Sequence, residues 1–324
     1  MRRRERERGA ALLTVLLLVA VIAVMAATAL EKVRLATRLA ANAVAIDQAR
    51  GYAYAAEALA TTRTTALLRR AGDRVALAGG WSGRPFGLPI PGGTATARIT
   101  DGGNCFNLNS LVSRAIDGRW VADSGTVVQF ARLMRLLRVP GGDTIAPATA
   151  DWIDSDDVPL PGGAEDSGYR GYRTAGTLMA DVSEWRAVAG VTPQVYRAVR
   201  PYLCALPVAE RATININTLL PEQGALLAML LPDTLSPQQA GAVLSRRPPD
   251  GWAGVDPLWN QLSLTGGGGA TPDLSAKQQT AVTTRWFALA IDVVNGSSEL
   301  HEQALIDARA LPVRLVARQW GDAT

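Results

Sequence analysis

From Ala10 to Leu30 the chain carries no charged side chain, and Glu31 is the first to follow. A run of that length and character can cross a hydrocarbon core as one helix. Ahead of it Arg2, Arg3, Arg4, Arg6 and Arg8 outnumber Glu5 and Glu7. That excess holds the N-terminal end on the cytoplasmic side and sends everything after Leu30 across. A cleaved secretory signal, with Ala26-Ala27-Thr28 as its small-residue site, is one competing reading, and a plain uncleaved anchor is another. Against both, Glu31 to about Arg70 stays rich in Ala, Leu, Arg and Glu, and the first proline is Pro85. Membrane span and soluble helix therefore read as one rod of about 90 Å.

Charge is concentrated in the same place. Residues 1–9 hold five arginines against two glutamates, +3 of the formal +4 of the chain, so the rest is close to neutral. The pI of 9.4 then reports topology rather than nucleic-acid binding. Cys105 and Cys204 lie 99 residues apart, with no C-x-x-C pair and no histidine beside them. Metal and redox centres need closer partners. In an oxidising compartment a disulfide closing that loop would stabilise the fold by on the order of 4 kcal/mol; two buried free thiols are the alternative.

Beyond the rod, helical character ends near Gly72, and 79–93 is rich in glycine and proline. Thr94 to Thr100 alternates as a strand with one polar face. From Phe106 the pattern turns mostly helical. Ser124 to Arg138 sets Val127, Val128, Ala131, Met134 and Leu137 on one side, and Val182 to Leu203 forms a second amphipathic stretch. Asn107-Leu108-Asn109-Ser110-Leu111 recurs as Asn215-Ile216-Asn217-Thr218-Leu219. The second copy and its sequel to Leu258 look like a degenerate helix-hairpin-helix, or SAM-like, unit. Its hairpin, Leu231-Pro232-Asp233-Thr234-Leu235-Ser236, lacks the glycines that bring backbone N–H groups to phosphates and adds an acid. Packing, with no nucleic acid, is the expected use. After a flexible joint at Gly266 to Gly269, strands are expected over Thr284–Val294, Leu300–Ala310 and Pro312–Trp320, with Asn295-Gly296-Ser297 as a hairpin turn. With Thr94–Thr100 they predict an antiparallel sheet on the C-terminal half of the rod, and the helical region between becomes an insertion.

Six acids form the one chemically loaded cluster. Asp151, Asp154, Asp156, Asp157, Glu165 and Asp166 bracket Pro159, Pro161, Gly162 and Gly163, with no Lys or Arg before Arg170. Like charges on one loop repel unless a cation neutralises them, and hard oxygen ligands among turn formers favour Ca2+. A solvated acidic loop is the alternative. Catalysis is not expected, because the single histidine, His301, sits in an expected strand and no G-x-S-x-G, Walker loop or H-E-x-x-H occurs.

The stretch Arg8-Gly9-Ala10-Ala11-Leu12-Leu13-Thr14-Val15-Leu16-Leu17 resembles the N-terminus of type IV pilins, and more narrowly that of the minor pseudopilin K family of type II secretion. The resemblance implies that a prepilin peptidase cuts between Gly9 and Ala10 and that Ala10 is then N-methylated. Most pilins carry glutamate as the fifth mature residue; Thr14 stands there instead, a mark of the K subunit. A carboxylate inside a bilayer needs a partner, which in pilin fibres is the amine of a neighbouring subunit. Thr14 has no charge to offer a subunit above, which suits a position at the tip. The string from Asp151 to Tyr169 also resembles a stretch of the K family, where calcium is bound.

The expectation is therefore α+β: a type IV pilin-like fold, a long N-terminal helix packed on an antiparallel sheet, with a large inserted α-helical, SAM-like domain. Its parts are a cleaved leader (1–9), a transmembrane half-helix (10–30), a periplasmic half-helix (31–72), the sheet (73–104 and 270–324) and the insertion with two repeat-related subdomains (105–269). The implied role is to start and cap a pseudopilus, from a single-pass position in the inner membrane with the C-terminal domain in the periplasm. The I and J subunits are the implied partners. A minor pilin-like protein of a type IV pilus or competence system, and a membrane-anchored calcium-dependent hydrolase built on the Asp154/Glu165 region, are the other readings.

Overall fold

The computed structural model describes residues 2–231, 234–265, 274–296 and 298–321. Helix α1 runs unbroken over Arg2–Ala71. It stops at Gly72, whose φ of +63° is the left-handed conformation that ends helices and whose N–H reaches the Leu68 carbonyl at 3.1 Å. Along its first part Leu12, Leu16, Ile22, Leu35 and Leu39 are all exposed. Ala10–Ala71 is long and apolar enough, by length and composition, to cross a membrane.

The sheet has five strands, β1 (Phe86–Ile90), β2 (Gly93–Asp101), β3 (Trp286–Asn295), β4 (Ser298–Asp307) and β5 (Arg314–Trp320), each antiparallel to its neighbour in that order. Sequence patterning missed β1 because of its Pro89; an edge strand tolerates the missing N–H. The hairpin at Asn295-Gly296 forms as expected, with Gly296 at φ +60° and Asn295 opposite Ser298.

Helix and sheet meet through small residues. Ala49, Ala53, Ala56 and Ala60 recur at helical spacing and are at most 2% exposed. With no side chain beyond Cβ they let α1 lie close on the sheet, where Ala95, Ala97, Ile99, Leu289, Ile291, Val293 and Ile306 face it at every second position.

Between β2 and β3 lies the inserted region, with its own larger core around Phe130, Leu133, Ile153, Trp185, Leu226 and Trp259. Its principal helices are α2 (Ser124–Leu136), capped by Asp123, and α3 (Gly142–Ile153). Val182–Leu203 is not one amphipathic helix. Gly190 at φ +83° and Pro193 divide it into a 3-10 turn, Val182–Ala187, and a short helix, Pro193–Val199, capped by Thr192. The later part holds short helices Gly224–Ala228, Pro237–Leu244 and Asp256–Thr265. Of the expected hairpin, Pro232 and Asp233 lie outside the described residues, as do the whole Gly266–Gly269 joint and Ser297.

The repeated five-residue element is a structural repeat too. Asn107 and Asn215 each end a two-residue strand, paired in parallel with Leu203–Cys204 and Thr280–Ala281 respectively. Each accepts, through its side-chain oxygen, the N–H two residues on. Asn109 then clasps the Met179 backbone from both sides, accepting its N–H at 2.8 Å and donating to its carbonyl at 2.9 Å. Asn217 does the same to Trp252, at 2.7 and 2.9 Å. Cys105 and Cys204 form the expected disulfide, with Cα atoms 5.7 Å apart, beside the first of these strand pairs.

Insertion and sheet are joined by buried polar groups. Asp101, at the end of β2, accepts from the hydroxyls of Thr218 and Thr284, while Asn104 accepts the Asn215 N–H at 2.8 Å. Asn215 donates to Thr284 and, at 2.9 Å, to the Val75 carbonyl just past α1. Such a network holds one relative arrangement only while every member is paired.

Candidate metal centre

The six acids do not share one loop. Asp151 lies in the last turn of α3, which runs on past Pro147 to Ile153. Asp154 follows directly, its extended backbone (ψ 175°) ending the helix. The chain leaves toward Trp120, which exchanges hydrogen bonds with Ser155. It returns through Leu160-Pro161-Gly162-Gly163, where the Gly163 N–H meets the Leu160 carbonyl at 2.7 Å and Gly162 has φ +82°. Proline followed by a positive-φ glycine is the sequence of a type II turn. The turn sets Glu165 over the end of α3.

There Asp151, Asp154 and Glu165, exposed by only 0%, 4% and 2%, bring carboxylate oxygens within 4.8 Å of one another. Both Asp151 oxygens accept the Leu160 N–H at 3.2 Å. Asp154 Oδ1 and Glu165 Oε1 are buried with no hydrogen-bond partner. Burial first, then the neighbouring acids, pushes Asp154 up to about 7 and Glu165 up to about 8. Burial raises Asp151 as well, opposed by the N–H groups of Leu160 and Ala164. Gly163 is needed for the approach, because a Cβ there would stand 1.9 Å from Asp151 Oδ2.

The other three acids are placed differently. Asp156 and Asp157 are exposed at the rim. Asp166 accepts the N–H and hydroxyl of Thr174, both at 2.9 Å, which hold its carboxyl below the usual range, and Arg173 stands 3.7 Å away. Its charge is spoken for, whereas among the described residues no Lys or Arg pairs with the inner trio. Trp152 packs edge to face on Tyr169 and Tyr172, which are tilted against each other, with ring centroids 5.2–6.0 Å apart.

Three buried carboxylates, two of them with an orphaned oxygen, fit a hard cation. Ca2+ and Mg2+ both take hard oxygen ligands, Ca2+ accepting an all-protein carboxylate set more readily than Mg2+, while Zn2+ more often takes nitrogen and sulfur. Composition could point to acids in this segment; which of them are buried depends on the helix end and the type II turn.

A helix with an apolar, uncovered first half, laid on an antiparallel sheet with a helical domain inserted between the second and third strands, defines a pilin-like subunit. Residues 104–208 and 214–281 match two family models, both described as type II secretion system protein K. The chain is 34% identical to type II secretion system protein K of Pectobacterium carotovorum over 98% of both chains, and 31% identical to that of Pseudomonas aeruginosa over 98% of this chain and 94% of the other. One chain of the crystal structure of the GspK-GspI-GspJ complex from enterotoxigenic Escherichia coli superposes with a TM-score of 0.72 at 30% identity, covering 86% of this chain and 97% of that one. The chain belongs to the protein K family of the type II secretion system. Its role there is that of a minor pseudopilin.

Proposed function

We propose that this subunit stands at the tip of the pseudopilus, starting and capping its assembly, anchored in the inner membrane with its folded part in the periplasm. The observation that carries this reading is Thr14. Its hydroxyl donates to the Ala11 carbonyl at 2.9 Å, so the side chain is satisfied within α1 and brings no carboxylate to an incoming subunit. The solved relative comes from a complex with GspI and GspJ, and the corresponding minor pseudopilins are the proposed partners here. Leu35, Leu39 and Ile46, exposed on the stretch of α1 before the sheet begins, supply an apolar stripe for helix bundling. The trio Asp151, Asp154 and Glu165 holds Ca2+, which would relieve the repulsion among them.

Processing is the first test. Prepilin peptidase cutting between Gly9 and Ala10 yields a mature N-terminus at Ala10, and sequencing that instead began near Ala29 would remove the pilin reading. The tip position is tested by Thr14→Glu. With the major subunit overproduced, this variant should let further subunits stack above it and lengthen pseudopili; unchanged lengths would show that Thr14 plays no such part.

A further inference from the structure

We propose that the cleft between the last turns of α1 and the chain that leaves it binds an acidic segment of another protein. The cleft is a cavity of about 560 Å³ whose rim carries Arg63, Arg70 and Arg84 and whose floor includes Leu67, Trp81 and Phe86.

Three observations bear on its occupant. The first is charge: from Arg63 to Arg84 the chain holds five arginines against Asp73 alone. Among the described residues none of the five lies within ion-pair distance of a carboxylate. Asp250 lines the adjoining cavity with Arg70 and Arg74 without pairing to either. The second is preorganisation. The Arg63 guanidinium lies 4.2 Å above the centre of the Phe86 ring, which orients its N–H groups while leaving them unpaired, and Arg70 spends only its Nε, on the Ala66 carbonyl. A guanidinium held over an aromatic ring is suited to carboxylate, which it can grip in a two-pronged fashion.

The third is shape. A single small anion would leave the aromatic floor uncovered, whereas carboxylates flanking an apolar side chain would meet both rim and floor. Lipid headgroups are out of reach. Arg63 is 33 residues beyond Leu30, about 50 Å along a helix, many times the screening length of about 8 Å at physiological salt.

The test uses the full chain in nanodiscs and a fluorescein-labelled peptide of glutamates around one leucine, followed by anisotropy. Binding should be saturable and weaken with salt. It should fall at least tenfold in Arg63→Gln/Arg84→Gln, fall by less in Arg63→Lys/Arg84→Lys, which keeps the charge but loses the two-pronged grip, and be unchanged in Arg197→Gln/Arg246→Gln, two exposed arginines elsewhere. The glutamine version of the peptide should not bind. Equal affinity of the parent and the Arg63/Arg84 glutamine variant, equal binding of the glutamine peptide, or displacement by sulfate at peptide-like concentration would each overturn the proposal. Should the glutamine variant fail to fold, photocrosslinking from Ser82 in the otherwise native chain decides: the glutamate peptide is captured there, or the site is not used.

Discussion

Glu302 shows how much one side chain can be asked to bear. It points from β4 toward α1, is 1% exposed, and neither carboxylate oxygen has a hydrogen bond. Facing it are Glu57 on α1 and Arg318 on β5; Arg318 gives both its hydrogen bonds to Glu57, lies 3.5 Å from Glu302, and stacks over Tyr54. Burial, followed by the Glu57 carboxylate, raises Glu302 well above the usual range, while Arg318 helps hold Glu57 low. An acid with a raised folded pKa binds more protons folded than unfolded, so its stabilising effect is full at low pH and is lost as pH rises toward its folded value. Glu57, held low, contributes a slope of the opposite sign that is confined to the acid end of the range. Urea unfolding should therefore show stability falling from pH 5 to 8, with Glu302→Gln removing on the order of 2 kcal/mol of that fall. Parallel curves for parent and variant would refute the assignment.

Among the elements, α1 is specified twice over, by apolar content in its first half and by alanine spacing in its second. The alanine stripe admits a direct check. Ala53→Leu places a branched side chain where there is no room and should destabilise by about 1–3 kcal/mol, whereas Ala58→Leu on the exposed side of the same turns should change stability by less than about 0.5 kcal/mol. Equal effects in thermal melts would mean that helix propensity, not packing, is being read. The two N-x-N elements were visible as a sequence repeat, yet nothing in the residues announced that Asn109 and Asn217 would clasp the distant backbones of Met179 and Trp252. Those partners are 70 and 35 residues away, and hydrogen bonds of that span leave no local pattern.

For the molecule as a whole, the acid trio brings α3 and the loop that returns over it together, so the proposed ion would act on the whole inserted region. A ligand bound only by the folded state adds about 2.7 kcal/mol when present at a hundredfold over its Kd. Asp154→Ala with Glu165→Ala should lower the melting temperature in millimolar calcium and barely alter it in chelator. Gly163→Ala, which crowds Asp151, should weaken calcium binding tenfold or more without unfolding the chain. Equal destabilisation with and without calcium would show that these carboxylates serve the fold through ordinary contacts.

By itself the sequence determined the membrane-length helix, the paired cysteines, the hairpin at Asn295-Gly296 and the sheet flanking a helical insertion. The helix and the hairpin rest on residues near one another in the chain, where periodicity and turn chemistry act locally; the cysteine pairing rests on their being the two cysteines of the chain. Only the tertiary structure decided which three of six acids are buried, where Glu302 and Arg318 meet, and how Arg63, Arg70 and Arg84 come to line one cleft. Burial and charge proximity are sums over chain segments far apart in sequence, and they exist only once helix, sheet and insertion have closed on each other.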